Sequence, residues 1–367
     1  MALNAGIVGI TNTGKTTIFN ALTSNETETT SYQFSTIEAN KAVVDIPDSR
    51  IDDIFSNITS NKKVYSTIEI VDIAGLVKGA SKGEGIGNKF LADIKMVDAI
   101  LHVVRCFDDE NVLHVDGSVN PSRDIETVDA ELIVKDLETV ENRIEKNKKL
   151  LKSQNKDAIR MQPIYEKMYT CLENLEHPRT LNLTDDEKSM MHDMNLLTLK
   201  PVIYVCNIGE EELMSGDDSN YTMQVQKIAE EHGYGMVKIC GKVESEIALM
   251  DYNEKMDFLK EYGLTEPGLN MLLHAAYDLL GLRTFITEGE IEVKAWTIKK
   301  GMKAPQAAGV IHTDFEKKFI KADVISFEDF KASNYDRNIA KQNGKARLEG
   351  KEYEVQDGDV IIFKVGR

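Results

Sequence analysis

The sequence is short of cysteine, of positive charge and of long apolar runs. Its four cysteines, Cys106, Cys171, Cys206 and Cys240, are widely spaced, with no C-x-x-C pair and no histidine cluster beside them. That excludes a disulfide framework and a zinc site of the usual spacing, and it predicts reduced thiols in a cytoplasmic protein. No stretch of 18 apolar residues occurs, so no membrane span and no membrane partner are expected. The first residues run straight into an apolar strand pattern, so no signal peptide is expected. Lys and Arg number 44 against 61 Asp and Glu, a net charge of −17. Such a balance argues against tight nucleic-acid binding by the whole surface, and no DNA partner is expected. The deficit is uneven. Residues 282–367 carry 16 basic and 14 acidic side chains and are near neutral, while the net negative charge lies before them. Charge asymmetry of this kind points to a separate binding role for the C-terminal part.

What the chain does have is a glycine loop near its start. Gly9 to Thr17 reads G-I-T-N-T-G-K-T-T and fits G-x-x-x-x-G-K-[ST] through Gly9, Gly14, Lys15 and Thr16. Ala5-Gly6-Ile7-Val8 before it suits a buried parallel strand, and Thr17 to Leu22 after it has helical spacing. Strand, loop, helix is the arrangement that cradles phosphates with backbone N–H groups, aided by the helix N-terminus. The expected nucleotide contacts are Asn12, Thr13, Gly14, Lys15, Thr16 and Thr17. Lys15 can reach the β- and γ-phosphates, and the Thr16 hydroxyl can bind Mg²⁺.

Further motifs follow at the spacing of a nucleotide switch. Thr36, about twenty residues on, is the candidate for a second Mg²⁺ ligand that closes only on a γ-phosphate; the alternative is an ordinary exposed threonine. Ile68 to Gly75 reads as a strand ending in D-x-x-G, which offers Asp72 to Mg²⁺ and the Gly75 N–H to the γ-phosphate. The next position, where many GTPases carry a water-orienting glutamine, is Leu76. Its side chain cannot hydrogen-bond water. The glycine-rich run Lys78 to Gly87 reads as a second switch. Ala99 to Val104 is another buried strand, and the loop after it contains His114. That histidine is either a group that orients water or a surface loop residue.

From Ile125 to Leu175 the pattern becomes helical. Ile133, Leu137, Val140, Ile144 and Leu151 form one stripe. Ser153 to Asp157 is a polar break. Ile164, Met168, Cys171 or Leu172, and Leu175 form a second stripe. Two long antiparallel helices inserted in the nucleotide domain explain this. Lys200 to Asn207 returns to strand character and ends in Asn207-Ile208-Gly209-Glu210. GTPases read guanine here with N-K-x-D. Glu210 is one methylene too long for that fit and Ile208 can pack on a purine face, so the preference moves towards adenine. After Leu282 come short strands and turns, about 85 residues of mixed β structure.

The chain resembles the YchF group of Obg-like P-loop NTPases over its whole length. The residues that carry the resemblance are Val71 to Leu91 (VDIAGLVKGASKGEGIGNKFL), His102 to Phe107 (HVVRCF) and Ala304 to Lys317 (APQAAGVIHTDFEK). It implies an α/β fold: a Ras-like nucleotide domain over residues 1–124 and 198–281, a helical hairpin over 125–197, and a C-terminal β-grasp TGS domain over 282–367. It implies an ATPase that prefers ATP to GTP, with His114 standing in for the absent glutamine and Mg²⁺ held by Thr16 and Thr36, beside the Asp72 already read from the D-x-x-G motif. Through Asn12 it extends to K⁺ dependence. The implied partner of this monomer is the ribosome, on either subunit and including its rRNA. A GTPase of ribosome assembly and a nucleotide-gated binding module whose hydrolysis is incidental are the alternatives. The family's usual G-x-P-N-V-G-K loop is here Ile10-Thr11-Asn12-Thr13, and its Y-P-F is Tyr32-Gln33-Phe34.

Overall fold

A computed structural model describes residues 3–24, 40–76 and 86–366. Thr36 and the glycine-rich run as far as Gly85 lie outside the described residues.

Two six-stranded sheets organise the chain. The first contains β1 (Asn4–Val8), β2 (Lys41–Ile46), β4 (Ser66–Asp72), β5 (Ala99–Cys106), β6 (Val202–Ile208) and β7 (Gly235–Ile239), in the order β2-β4-β1-β5-β6-β7. β2 pairs antiparallel to β4, and the other pairs are parallel. The inner strands are apolar on both faces, as crossover helices on both sides require. Ile7, Ile70, Leu101 and Val205 are all 0% exposed, and each such side chain contributes about 1.5–3 kcal/mol by leaving water. One face is covered by α1 (Lys15–Ser24) and the helix Gly268–Leu279. The other carries α3 (Ile86–Met96), the start of α4 (Pro121–Leu151) and the helix Asn220–His232. With parallel strands, the loops after β1, β4, β5 and β6 emerge along one edge, where such sheets bind ligands.

The inserted hairpin is α4 followed by α5 (Lys156–Glu173). α4 has 31 residues and is about 46 Å long. Asn120 caps it by accepting from Arg123 N–H, and Pro121 stands in its first turn, where a missing N–H costs nothing. Its first turns pack on the nucleotide sheet through Ile125, Val128 and Leu132. Only from Ile133 does it pack against α5, through Val140 facing Ile164, Met168 and Leu172. Buried Asn147 donates to Ala158 O and Gln162 Oε1, both at 2.9 Å, and so fixes the register of the pair. One member of the expected stripe departs from it: Leu175 lies beyond the end of α5 and is 64% exposed. It adopts φ +58° and cannot continue the helix.

The second sheet contains β8 (Leu282–Thr287), β9 (Val293–Lys299), β10 (Phe319–Ser326), β11 (Arg347–Glu349) and β12 (Asp359–Val365). Reading β9-β8-β12-β10-β11, with β8 and β12 parallel at the centre, it has β-grasp topology. The helix Ala304–Ile311 packs across it. A sixth strand, β3 (Lys63–Val64), comes from the N-terminal part and adds to β9. Its neighbour α2 (Ser49–Asn57) buries Ile51 and Ile54 in the core of this sheet, beside Ile286, Val293 and Phe330. Position 282 therefore separates neither the two sheets nor their cores completely, because β3 and α2 lie before it. Residues between β2 and β4 belong by packing to the C-terminal body. Among the described residues, no helix is long and apolar enough to cross a membrane.

Candidate functional site: a phosphate loop and its cleft

The loop after β1 is held from several sides. Thr13 is buried, and its Oγ1 donates to Ile10 O at 3.2 Å. Gly14 sits at φ +96°, and a Cβ there would lie 2.2 Å from Asn207 Nδ2, so only glycine fits. Lys15 opens α1 and is 6% exposed; its Nζ donates to Ile10 O at 2.6 Å. Burial lowers the Lys15 pKa to about 8, against the opposing charge of Asp72. Thr16 and Thr17 are exposed at the start of α1 and line the cleft. A Cβ added to Gly75 would stand 3.0 Å from Lys15 Nζ, which places the D-x-x-G turn directly over the phosphate lysine.

Thr16 Oγ1 donates to Asp72 Oδ2 at 3.2 Å. The other carboxylate oxygen, Oδ1, is buried and has no hydrogen-bond partner among the described residues. Burial raises the Asp72 pKa, with the Thr16 hydrogen bond and the Lys15 charge opposing. A buried oxygen with an unused lone pair beside a hydroxyl is a donor set of hard oxygens, and it fits Mg²⁺. Leu76 joins Ile10 in an isolated parallel bridge, donating its N–H to Gly9 O at 3.1 Å. Its side chain is 1% exposed and packs into the core. Leu76 is thus doubly unable to orient water, by chemistry and by direction.

The cleft beside the loop has a volume of about 1080 Å³. Its far end is built by the ends of β6 and β7. Asn207 is buried; its Nδ2 donates to Thr13 O at 2.8 Å, and its Oδ1 accepts from Gly241 N–H at 2.9 Å. Ile208 is 3% exposed and belongs to the core, so it supports the cleft floor and does not lay a free side chain over a ring. Glu210 pairs with Lys242, Oε1 to Nζ 2.5 Å, at the rim.

The His114 loop reaches this site through its backbone. Asn12, at φ +63°, donates from Nδ2 to Leu113 O at 3.0 Å. The imidazole itself points elsewhere. Its Nε2 lies 2.9 Å from Asp124 Oδ2, and its side chain is 4% exposed. A residue that sequence reasoning left without a role holds the same loop. Arg105, 2% exposed at the end of β5, donates to Phe107 O at 3.0 Å, Val112 O at 2.8 Å and Asp109 O at 3.3 Å. An arginine directly after the apolar run Val103-Val104 was the signal for it. All four cysteines are buried and free.

Comparison with known proteins agrees with this geometry. Residues 4–159 match a family model described as 50S ribosome-binding GTPase. Residues 282–366 match the YchF-GTPase C-terminal model, described as a protein of unknown function. The chain is 47% identical over 364 residues to the Ribosome-binding ATPase YchF of Bacillus subtilis, covering 99% of both chains. It is 47% identical over 363 residues to the protein of that name from Escherichia coli O157:H7, again covering 99% of both. The solved structure of the Schizosaccharomyces pombe YchF GTPase superposes with a TM-score of 0.88 at 35% identity, covering 99% of this chain and 97% of that one.

Proposed function

The chain belongs to the YchF family of P-loop NTP hydrolases, and on that premise we propose that it is a Mg²⁺-dependent ATPase that prefers ATP to GTP and binds the ribosome as a nucleotide-dependent switch. The observation that carries the base preference is the Glu210–Lys242 pair, at 2.5 Å on the rim of the cleft. A carboxylate that reads guanine must face the ring N1–H and the N2 amino group with both oxygens free. Glu210 is a methylene longer than the aspartate that does so and spends one oxygen on Lys242. The names of the bacterial relatives support ATP and the ribosome. The titles of the N-terminal family model and of the fission-yeast structure favour a second reading, a GTPase.

In this reading the chemistry is phosphoryl transfer to water, in which positioning and charge do most of the work. Gly14, Lys15 and the α1 N-terminus hold the phosphates, and the Gly75 N–H meets the γ-phosphate. Thr16 and Asp72 hold Mg²⁺, with Thr36 as the further ligand. Mg²⁺ supplies charge stabilisation at the phosphate oxygens when bound. Asn12, Thr13 and Thr17 complete the phosphate side, and Asn207, Ile208 and Glu210 the base side. His114 takes the place of the missing glutamine. K⁺ dependence is part of the proposal through Asn12, and the near-neutral C-terminal sheet is the part assigned to rRNA. The working boundaries remain 1–124 with 198–281, 125–197 and 282–367, with the β2–β4 insert acting in the last of these.

Isothermal titration with ATP and GTP at equal Mg²⁺ tests the preference; tighter GTP binding overturns it. Ribosome co-sedimentation with a non-hydrolysable ATP analogue and with ADP tests the switch, which requires different capture in the two states. Turnover in K⁺ against Na⁺ tests the monovalent ion.

A further inference from the structure

We propose that Asp124 is a positioning residue that latches His114 away from the cleft, so that hydrolysis waits on release of the latch. The inference rests on His114 being the group that orients water.

As found, the imidazole has no free nitrogen. Asp116 N–H donates to Nδ1 at 3.1 Å, and Arg123 Nη2 stands 3.4 Å from the same atom. Nδ1 is therefore an acceptor, and the proton sits on Nε2, facing Asp124 Oδ2 at 2.9 Å. The second Asp124 oxygen accepts from Arg123 Nη2 at 3.1 Å and Nε at 3.3 Å. Arg123 also donates to Ser118 O at 2.6 Å and pairs with Asp116 Oδ2 at 3.5 Å. His114, Asp116 and Asp124 lie within 4.8 Å of one another, a spacing that also suits a cation, but the Arg123 guanidinium already fills that electrostatic role.

The latch is anchored in a helix, and Arg105 holds the loop only as far as Val112. Asp124 lies in the first turn of α4, next to Ile125, which is 1% exposed against the nucleotide sheet. The loop turns its side chains the unusual way round. Leu113 is 78% and Val115 50% exposed, while the polar ring between them is buried. Single exposed apolar residues are ordinary; a buried polar ring between two of them is the informative feature. Gly117, at φ +79° with open space around it, ends the segment. At the other end, Leu113 O is already bonded to Asn12 in the phosphate loop. Consecutive Cα atoms are about 3.8 Å apart, so a released imidazole at position 114 is within a side-chain length of the phosphate loop. Turning the segment between Leu113 and Gly117 frees both ring nitrogens and brings His114 to the cleft.

Steady-state ATP turnover of the full chain tests this in four variants. Asp124→Asn removes the negative charge that holds both His114 Nε2–H and Arg123, and is expected to raise kcat by about tenfold with KM little changed. Asp124→Glu keeps the carboxylate and is expected to return turnover close to the parent rate. His114→Ala is expected to slow turnover about tenfold or more, and Asp124→Asn/His114→Ala to stay as slow as His114→Ala alone. Parent-like turnover in His114→Ala overturns the role of His114 itself. If His114→Ala is slow and Asp124→Asn is also slow or unchanged, His114 acts but the latch is wrong, since Asp124 then orients the histidine for catalysis. Should Asp124→Asn not fold, as judged by circular dichroism, Arg123→Gln keeps the dyad and loosens its support. A smaller rise in kcat is expected there, and no rise overturns the latch. Histidine ¹⁵N NMR adds a direct reading: the Nε2–H signal of His114 is slow to exchange in the parent and lost in Asp124→Asn.

Discussion

Asn207 Nδ2 donates to Thr13 O at 2.8 Å, across 194 residues of sequence, and so ties the base end of the cleft to the phosphate loop. Its Oδ1 holds Gly241 N–H at 2.9 Å. One buried side chain at the end of β6 thus ties two other loops together across the cleft. Asn207→Ala leaves a buried carbonyl and a buried N–H without partners, at about 1–3 kcal/mol each. The expected result is a lower melting temperature and weaker binding of ATP and GTP by similar factors. A change in the ATP-to-GTP ratio at unchanged stability shows that Asn207 reads the base and nothing else.

Lys15 is held at a cost that a triphosphate removes. In the free protein its pKa is lowered to about 8 by burial. That shift opposes folding below pH 8, where the buried amine is charged, and the penalty fades as pH rises from 8 towards 10.5. Phosphate charges favour the protonated amine, so binding raises the pKa and takes up a proton. ATP affinity is therefore expected to fall as pH rises through 8. Titration at pH 8 in two buffers of different ionisation heat should show uptake of up to about half a proton. Lys15→Ala should lose a few kcal/mol of binding, estimated at about 2–3 from the loss of charge-assisted contacts, together with the proton uptake. Uptake that survives in Lys15→Ala assigns it to another group.

Restoring the family-foreign glutamine should not help. Leu76 is 1% exposed, with its backbone tied to Gly9 and its side chain in the core. Leu76→Gln buries an amide there at about 1–3 kcal/mol and still presents no side-chain group to the attacking water. The expected outcome is a lower melting temperature and no faster hydrolysis. A rise in kcat means that the turn after Asp72 can rotate its side chain outward.

Most of the nucleotide half was legible because its signals are local. The strand–loop–helix around Gly14 and Lys15 follows from residue order, and the D-x-x-G turn falls where Lys15 Nζ needs a neighbour. The hairpin was legible from the spacing of Ile133, Val140, Ile164 and Met168, all of them buried in its core. The insert between β2 and β4 was not. β3 is two residues long and has no period to read, and α2 finds its core more than two hundred residues away in sequence. The inward turn of His114 was hidden for a related reason. Its partner Asp124 stands in a helix whose start lies four residues before the boundary read from periodicity, because Pro121 and the Asn120 cap carry no apolar signal. Ile208 illustrates the limit on side-chain direction: it faces the core, so converting it to lysine would test folding before it tested base choice. Glu210→Asp alone is the better variant for that question.

His102 gives the protein an acid-sensitive core. It lies in β5, is buried, and has its pKa lowered to about 4 by that burial. A histidine depressed in the folded state contributes stability that is present above its unfolded pKa near 6.5 and is lost as pH falls towards 4. Between pH 6.5 and pH 5 the loss from this residue is about 2 kcal/mol. Urea unfolding at pH 7 and pH 5 should show that difference on top of the carboxylate contribution, and His102→Leu should reduce it. An equal pH dependence in parent and variant removes His102 as the cause.

The last prediction concerns the insert that joins the two sheets. α2 lies between β2, which follows the segment holding Thr36, and β4, which ends at Asp72. Both candidate Mg²⁺-binding stretches are thus directly continuous with a helix whose Ile51 and Ile54 are 0% exposed in the C-terminal core. The ion pairs beside it, Arg50 to Asp357 at 2.7 Å and Lys331 to Asp53 at 2.5 Å, are partly exposed and add at most about 1 kcal/mol each. The apolar contact therefore decides whether the sheets act together. Ile54→Ala opens a cavity in the core that α2 shares with the C-terminal sheet, at about 2–5 kcal/mol. If the insert couples the sheets, the parent unfolds in one transition. ATP should then slow amide exchange not only in the phosphate loop but also in β3 and β9, which pair at Lys63–Val293 and Val64–Lys294. Ile54→Ala should split the unfolding or abolish the distant protection while leaving ATP affinity within a few fold. Protection of β9 by ATP that persists in Ile54→Ala means that the signal travels by another contact, such as Ser66 Oγ with Thr284 Oγ1 at 3.4 Å. Absence of that protection in the parent means that the C-terminal sheet does not sense the nucleotide at all.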